Sequence, residues 1–113
     1  MPIQTLTPDL SVSPQIQPED VAAIAAAGFK TIVCNRPDRE GGAEQPTFEQ
    51  ISQAAQGLGL SLHYVPVVSG QITEDDVRAF RTVLDSAPKP VLAYCRSGTR
   101  STNLYALTRR GEG

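Results

Sequence analysis

The chain has 113 residues, of which 40% are hydrophobic and 19% are charged, and its formal net charge is −2. This length predicts one domain, residues 1–113, with an ordinary hydrophobic core, and it argues against a solenoid or a coiled coil. The weakly acidic charge balance argues against nucleic acid as a partner. No apolar run approaches the ~20 residues of a membrane span, and residues 1–5 lack the features of a secretory signal. We therefore expect a cytoplasmic protein.

The predicted strands and helices alternate along the chain, without repeats or low-complexity tracts. Proline and acidic residues at 18–20 begin the first helix after an extended segment at 1–17, and Gly28 is its stop signal. A Thr47-x-x-Gln50 capping box begins the second helix, and Thr73 with three acids begins the third. The predicted elements are a short strand at 10–12, a helix from 18, a strand at 31–35, a polar loop at 36–45, a helix at 47–58, a strand at 60–68, a helix from 73 that prolines at 88 and 90 end, a strand at 91–95 and a helix at 98–109.

This alternation predicts an α/β fold, a small and mostly parallel sheet flanked by helices. Ligands of such sheets bind at the carboxyl ends of the strands, which here are residues 35–39, 67–71 and 95–100. The charges indicate the same edge, because residues 1–90 carry eleven acidic and six basic side chains whereas 91–113 carry four arginines and one glutamate. The sequence therefore predicts a site for one small anion.

Residues 91–101 contain the predicted nucleophile and anion-binding loop. A buried strand ends on Cys95, a short loop with Gly98 follows, and a helix begins at once. Backbone N–H groups in such a loop converge on an anion above the positive end of the helix dipole, and Arg100 adds a two-pronged clamp. These groups would stabilise the thiolate of Cys95, which is the attacking species. The alternative is a buried strand-end cysteine beside a basic loop, without a catalytic role.

Substrate contacts are predicted from the loop after Cys95 and from the end of the strand that contains Cys34. The catalytic pair is Cys95 and Arg100, and the predicted contacts are Arg96, Ser97, Gly98, Thr99, Ser101, Arg36 and Asp38. For Arg36 and Asp38, a salt bridge across the rim of the site, at the carboxyl edge of the sheet, is an equal alternative. Cys34 lies in an apolar strand, so we expect it to pack rather than to resolve an oxidised Cys95. No cofactor is expected, and no metal, because His63 is the single histidine and no ligand set clusters around it.

Six stretches of the chain resemble one known family. They are residues 7–9, 12–16, 26–29, 34–38, 66–70 and 92–101. Together they are similar to the bacterial beta-lactamase-hydrolase-like protein phosphatase-like domain, which is known alone and fused to metallo-hydrolase or persulfide dioxygenase modules. The resemblance implies the fold of cysteine (dual-specificity) phosphatases, with the active-site loop between the last strand and the following helix. It implies either phosphatase activity or sulfur transfer.

Two departures from the phosphatase pattern bear on the reaction. Only four residues separate Cys95 from Arg100, the length usual in rhodanese-type sulfurtransferases, where cysteine phosphatases have five. Residues 67–71 hold no acid to protonate a leaving alkoxide, which would cost a phosphatase about 10²–10⁴ in rate. Sulfite or a thiolate leaves without that help.

The sequence therefore favours a sulfurtransferase that carries sulfur from thiosulfate or a persulfide to a thiol acceptor through a Cys95 persulfide. The first alternative is a phosphatase that acts through a Cys95 phosphocysteine, and the second is a noncatalytic anion-binding module. The expected partners are a small anionic substrate and a thiol acceptor. The known fusions imply a persulfide dioxygenase as a further partner, and neither nucleic acid nor a membrane is expected.

Overall fold

Strands and helices alternate through residues 2–110, the part of the chain that the computed structural model describes. Two of the helices begin where the sequence predicts, because the hydroxyls of Thr47 and Thr73 each accept a hydrogen bond from the N–H three residues on, at 3.1 Å. The elements are β1 (Gln4–Thr7), β2 (Leu10–Ser13), a 3₁₀ turn (Pro18–Asp20), α1 (Val21–Ala26), β3 (Thr31–Cys34), α2 (Phe48–Ala55), β4 (Ser61–Tyr64), α3 (Glu74–Ser86), β5 (Val91–Tyr94) and α4 (Thr99–Arg110).

The strands in this part of the chain form one sheet in the order β1-β2-β5-β3-β4. β1 pairs antiparallel with β2, and all other pairs are parallel, with Cys34 of β3 in register with Tyr94 of β5. The segments that follow β2, β3, β4 and β5 therefore leave the sheet at one common edge. The predicted α/β fold with a mostly parallel sheet is confirmed.

Two apolar clusters fill the spaces between the sheet and its helices. Neighbouring residues of a strand point to opposite faces, so Ala93 packs with Phe80 of α3 and Leu104 of α4, whereas Tyr94 packs in the cluster that includes Ile51 of α2. Burial of each large apolar side chain stabilises the fold by about 1.5–3 kcal/mol. Both clusters enclose β5, so its carboxyl end is held from both faces. Within residues 2–110, no helix has the length and apolar character needed to cross a membrane.

Two predicted elements end several residues early, and one strand was not predicted. β4 ends at Tyr64 instead of residue 68, because Pro66 has no N–H for the ladder. The chain stays extended, since the N–H groups of Val65 and Val67 still donate to the carbonyls of Cys34 and Asn35, at 2.9 and 3.0 Å.

The second helix ends at Ala55 instead of residue 58, because residue 56 is already extended and Gly57 has a φ of 79°. β1 lies in the segment that the sequence assigned only to extended chain, and it forms the outer strand of a hairpin with β2.

Candidate active site

The loop between β5 and α4 holds Cys95 at the common edge of the sheet. The sulfur lies below the surface, with the residue 1% exposed, and the N–H of Gly98 donates to Sγ at 3.0 Å. Gly98 has a φ of 94°, which favours glycine, and an added Cβ would lie 3.4 Å from the carbonyl carbon of Ser13. A backbone N–H therefore faces the sulfur because the loop turns through a conformation that glycine allows.

Helix α4 begins at Thr99, directly after this turn. Its first N–H groups and the positive end of its dipole lie next to the Cys95 loop, and both stabilise negative charge there. The hydroxyl of Ser97 accepts a hydrogen bond from the N–H of Thr99 at 3.4 Å, so it closes the loop. This local structure agrees with the predicted order of strand, short loop and helix.

Arg100 is fixed by contacts with two other segments. Its Nη1 donates to Oε2 of Glu40 at 2.9 Å and to the carbonyl of Val67 at 3.0 Å, and its Nη2 donates to Oε1 of Glu40 at 2.9 Å. The guanidinium is thus tied to the loop after β3 and to the extended chain after β4. Two short bonds to one carboxylate form the bidentate pairing that is the strongest arginine contact.

Arg36 lies on the other side of the same carboxylate. Its Nε donates to Oε1 of Glu40 at 3.1 Å, and its Nη1 donates to the side-chain oxygen of Gln15, also at 3.1 Å. The Arg100 guanidinium, and then that of Arg36, hold the pKa of the Glu40 carboxyl below its ordinary value of 4.5, against the opposing effect of partial burial. Arg36 forms its salt bridge with Glu40 of its own loop, not across the rim, and its side chain also lines the cavity at this edge of the sheet.

These side chains line one cavity of about 790 Å³ at the edge of the sheet. Among the predicted site residues, the structure places there Cys95, Arg96, Ser97, Thr99, Arg100 and Arg36. Glu40 is the one carboxylate among the lining residues from the described part of the chain. The lining therefore carries three guanidinium groups against one carboxylate, which favours a small anion.

Three predicted contact residues lie outside this cavity. Gly98 lines a smaller neighbouring cavity while its N–H faces the sulfur. Ser101 is fully buried, and its hydroxyl donates to the side-chain oxygen of Asn35 at 2.8 Å, because it shares the sheet-facing side of α4 with Leu104. Asp38 accepts a hydrogen bond from the N–H of Phe48 at 2.9 Å and so caps α2.

Cys34 packs in an apolar cluster, as the sequence predicts. Its thiol donates to the carbonyl of Arg36 at 3.2 Å, and burial raises its pKa above the ordinary value of 9.0. The adjacent Tyr94 belongs to the same cluster, and burial likewise raises the pKa of its hydroxyl. Cys34 therefore points to the face of the sheet opposite Ala93. Because its pKa is raised, its thiol stays protonated at neutral pH.

The acids that follow β4 in the sequence do not reach the cavity. Ser69 and Gly70 line it, whereas Asp76 closes the capping box of α3 and Asp75 pairs with Arg78 at 3.1 Å on the surface. The sequence analysis counts both among the three acids that begin the third helix, and Asp76 caps that helix by accepting from the N–H of Thr73 at 3.0 Å.

Sequence reasoning missed Glu40 and Gln15. Glu40 follows Arg36 by four residues, but that spacing predicts an ion pair only within a helix, and residues 36–45 form a loop. For Gln15, nothing in its neighbourhood in the sequence pointed to Arg36.

Comparison with known proteins identifies relatives along the whole fold. Residues 2–112 match the family described as Beta-lactamase hydrolase-like protein, phosphatase-like domain. A Beta-lactamase hydrolase-like protein of Agrobacterium fabrum is 38% identical over 92% of this chain, and the chain spans only 24% of the length of that relative.

Two solved structures have a similar fold. A candidate phosphatase from Neisseria meningitidis is 45% identical, with a TM-score of 0.89 over 98% of this chain and 78% of its own. A candidate phosphatase from Shewanella putrefaciens has a TM-score of 0.78 over 98% of this chain and 70% of its own, at 23% identity, and so shows the shared fold alone. Both comparisons agree with the cysteine-phosphatase-like fold that the sequence predicts.

Proposed function

The chain belongs to the family of beta-lactamase hydrolase-like protein phosphatase-like domains, and on that basis we propose that it is a cysteine-dependent phosphatase that hydrolyses small phosphate esters or anhydrides. The observation that carries this proposal is the meeting of Cys95 and Arg100 in one cationic cavity, in a chain 45% identical to a candidate phosphatase. The relatives thus favour the reaction that the sequence placed second.

In the first step, the Cys95 thiolate attacks phosphorus. An S–P bond forms as the bond from phosphorus to the leaving oxygen breaks, and the leaving group takes the electron pair. Water then attacks the phosphocysteine, the new O–P bond replaces the S–P bond, and phosphate leaves while Cys95 returns to the thiolate. The start of α4 and Arg100 stabilise the negative charge of the phosphoryl oxygens, and the N–H of Gly98 stabilises the sulfur when it departs as the thiolate.

The leaving group determines which substrates react fast. Glu40 is the cavity's one carboxylate in the described residues, and two guanidinium groups keep it ionised, so it has no proton to donate. Substrates whose leaving group departs as a stable anion, such as aryl phosphates, acyl phosphates and phosphoanhydrides, should therefore react faster than alkyl esters by about 10²–10⁴.

Turnover of p-nitrophenyl phosphate tests the proposal. We expect activity in the wild type, a trapped phosphoryl group on Cys95 by mass spectrometry, and no turnover in Cys95→Ser. Cys34→Ser, the same exchange at the buried core cysteine, is the control and should keep its activity. Absence of phosphate release from aryl, acyl and anhydride substrates would refute the proposal.

Sulfur transfer at the same cysteine is the second candidate, favoured by the four-residue spacing between Cys95 and Arg100. The thiolate would attack the outer sulfur of thiosulfate, an S–S bond would form, and sulfite would leave with the electron pair of the bond that breaks. A thiol acceptor would then remove that sulfur. The relatives, being candidate phosphatases, lend this reaction no support.

Intact mass after incubation with thiosulfate separates the two reactions. A gain of one sulfur atom at Cys95, followed by thiocyanate release with cyanide, would favour sulfur transfer. If the protein turns over neither phosphate compounds nor thiosulfate, and phosphate binding survives in Cys95→Ser, the protein is a noncatalytic anion-binding module.

A further inference from the structure

The five N–H groups of Arg100 fall into two sets. Glu40 and the carbonyl of Val67 accept from both N–H groups of Nη1 and from one of Nη2. The remaining donors are the Nε–H and the second N–H of Nη2, which lie side by side on one edge of the planar guanidinium. Two parallel donors of this kind match two oxygens of a phosphate or carboxylate.

Within the described residues, no acceptor pairs with this second edge. The side chain of Arg100 is 9% exposed, and its Nε makes no hydrogen bond within residues 2–110. A buried donor on a charged group is costly to leave unpaired. Nε is itself covered by protein atoms, so an anion in the cavity that Arg100 lines accepts from it only when those atoms shift.

A second arginine, Arg36, also holds Glu40 in place. Its carboxylate also accepts from Nε of Arg36, which is itself buried and bonded to Gln15. Gly41 leaves room for this arrangement, since an added Cβ would lie 2.6 Å from Nη2 of Arg36, and its N–H donates to the Gln45 side chain at 2.7 Å. The carboxylate is therefore a fixed acceptor and not a freely rotating surface charge.

We propose that Glu40 is a positioning residue, whose carboxylate holds the guanidinium of Arg100 so that its Nε–Nη2 edge is kept for the oxyanion that meets Cys95. The inference rests on the proposed function only in taking that oxyanion to be a phosphoryl group. The opposing hypothesis is that Glu40 shields Arg100 and competes with the anion. The two hypotheses predict effects of opposite sign when Glu40 loses its charge.

Alkylation of Cys95 by two reagents measures anion recognition without any substrate. Iodoacetate is an anion and iodoacetamide is neutral, and both react with the same thiolate, so the ratio of their rate constants cancels the reactivity of the sulfur. We expect Glu40→Gln to lower this ratio about tenfold, the effect of one charge-assisted hydrogen bond. Arg100→Lys should lower the ratio at least as much.

Glu44→Gln is the matched control, because Glu44 is an exposed acid in the same loop, and its loss changes the net charge equally. Glu44→Gln should raise the ratio slightly, because the loss of one negative charge makes the electrostatic potential around the site more favourable for the anion. Glu40→Asp keeps the charge on a side chain one methylene shorter, so positioning predicts a lower ratio there too, whereas shielding predicts no change. Thermal unfolding checks that each variant is folded.

An unchanged or increased ratio in Glu40→Gln, relative to Glu44→Gln, overturns the inference, and so does a wild-type ratio in Arg100→Lys. The test is separate from that of the phosphatase activity. If no phosphate compound is hydrolysed while the ratio falls in Glu40→Gln, the proposed function fails and the role of Glu40 stands.

Discussion

Replacing Gly98 with alanine tests whether the backbone of the loop prepares Cys95 for reaction. Gly98 has a φ of 94°, and a left-handed conformation costs an alanine about 1–2 kcal/mol. The nearest atom to an added Cβ, the carbonyl carbon of Ser13, lies at 3.4 Å, which is ordinary contact, so the strain comes from the backbone. We therefore expect the free energy of unfolding to fall by about 1–2 kcal/mol.

The chemical effect follows if the loop relieves this strain by rotating residue 98. Its N–H then leaves Sγ of Cys95, which it contacts at 3.0 Å. A hydrogen bond to a charged acceptor contributes about 1.5–3 kcal/mol, so we expect its loss to change the rate constant for alkylation of Cys95 by about 3- to 20-fold.

Urea denaturation measures the first effect, and the rate of iodoacetamide modification of Cys95, located by peptide mass spectrometry, measures the second. Gly28→Ala is the matched control, because Gly28 has a φ of 102°, has no atom within 4 Å of an added Cβ, and lies after α1. It should lose similar stability and leave alkylation unchanged. A wild-type alkylation rate in a destabilised Gly98→Ala, or an equal change of the rate in Gly28→Ala, would refute the reasoning.

Three further predictions concern stability. Phe80→Ala removes a fully buried ring between α3 and the sheet, and urea denaturation should show a loss of about 3–5 kcal/mol. The ion pairs of Glu40 stabilise the fold above its ordinary pKa of 4.5 and lose this effect as pH falls through the lower pKa of the folded state, so the stability difference from Glu40→Gln should shrink in acid. Burial raises the pKa of Cys34 above 9.0, so the contribution of this thiol to the free energy of unfolding is complete below pH 9.0 and declines as pH rises further. Cys34→Ser should remove this decline of stability at alkaline pH.

Each of these has a contrary result. A loss below about 1 kcal/mol in Phe80→Ala would contradict the packing of that cluster. A pH-independent difference between wild type and Glu40→Gln would show that the carboxylate makes no ion pair that stabilises the fold. An identical alkaline slope in Cys34→Ser would assign that slope to other groups.

The order of the elements and the position of Cys95 could be predicted because their signals are local. Capping boxes at Thr47 and Thr73, β-branched strands and a glycine after Cys95 each act within a few residues, and parallel strands bring their carboxyl ends together by topology alone. The placement of Arg36 and Arg100 at one cavity follows from that topology.

The directions of individual side chains could not be read with the same certainty. Glu40 meets Arg100 across 60 positions of sequence, and this contact depends on the path of an irregular loop that tertiary contacts fix. The orientation of Ser101 was available from helical phase, since a residue three positions before the buried Leu104 faces the sheet with it. Asp38 was assigned to the rim from its position alone, whereas the start of α2 takes its carboxylate.

The chain of contacts Gln15–Arg36–Glu40–Arg100–Val67 takes one segment from the end of each parallel strand. Moving the Cys95–Arg100 loop alone into another strand–helix unit would therefore transplant a nucleophile and leave its guanidinium unaligned. Redesign of this protein for a new substrate must treat the four loops as one unit, since each of them supplies one contact of that chain.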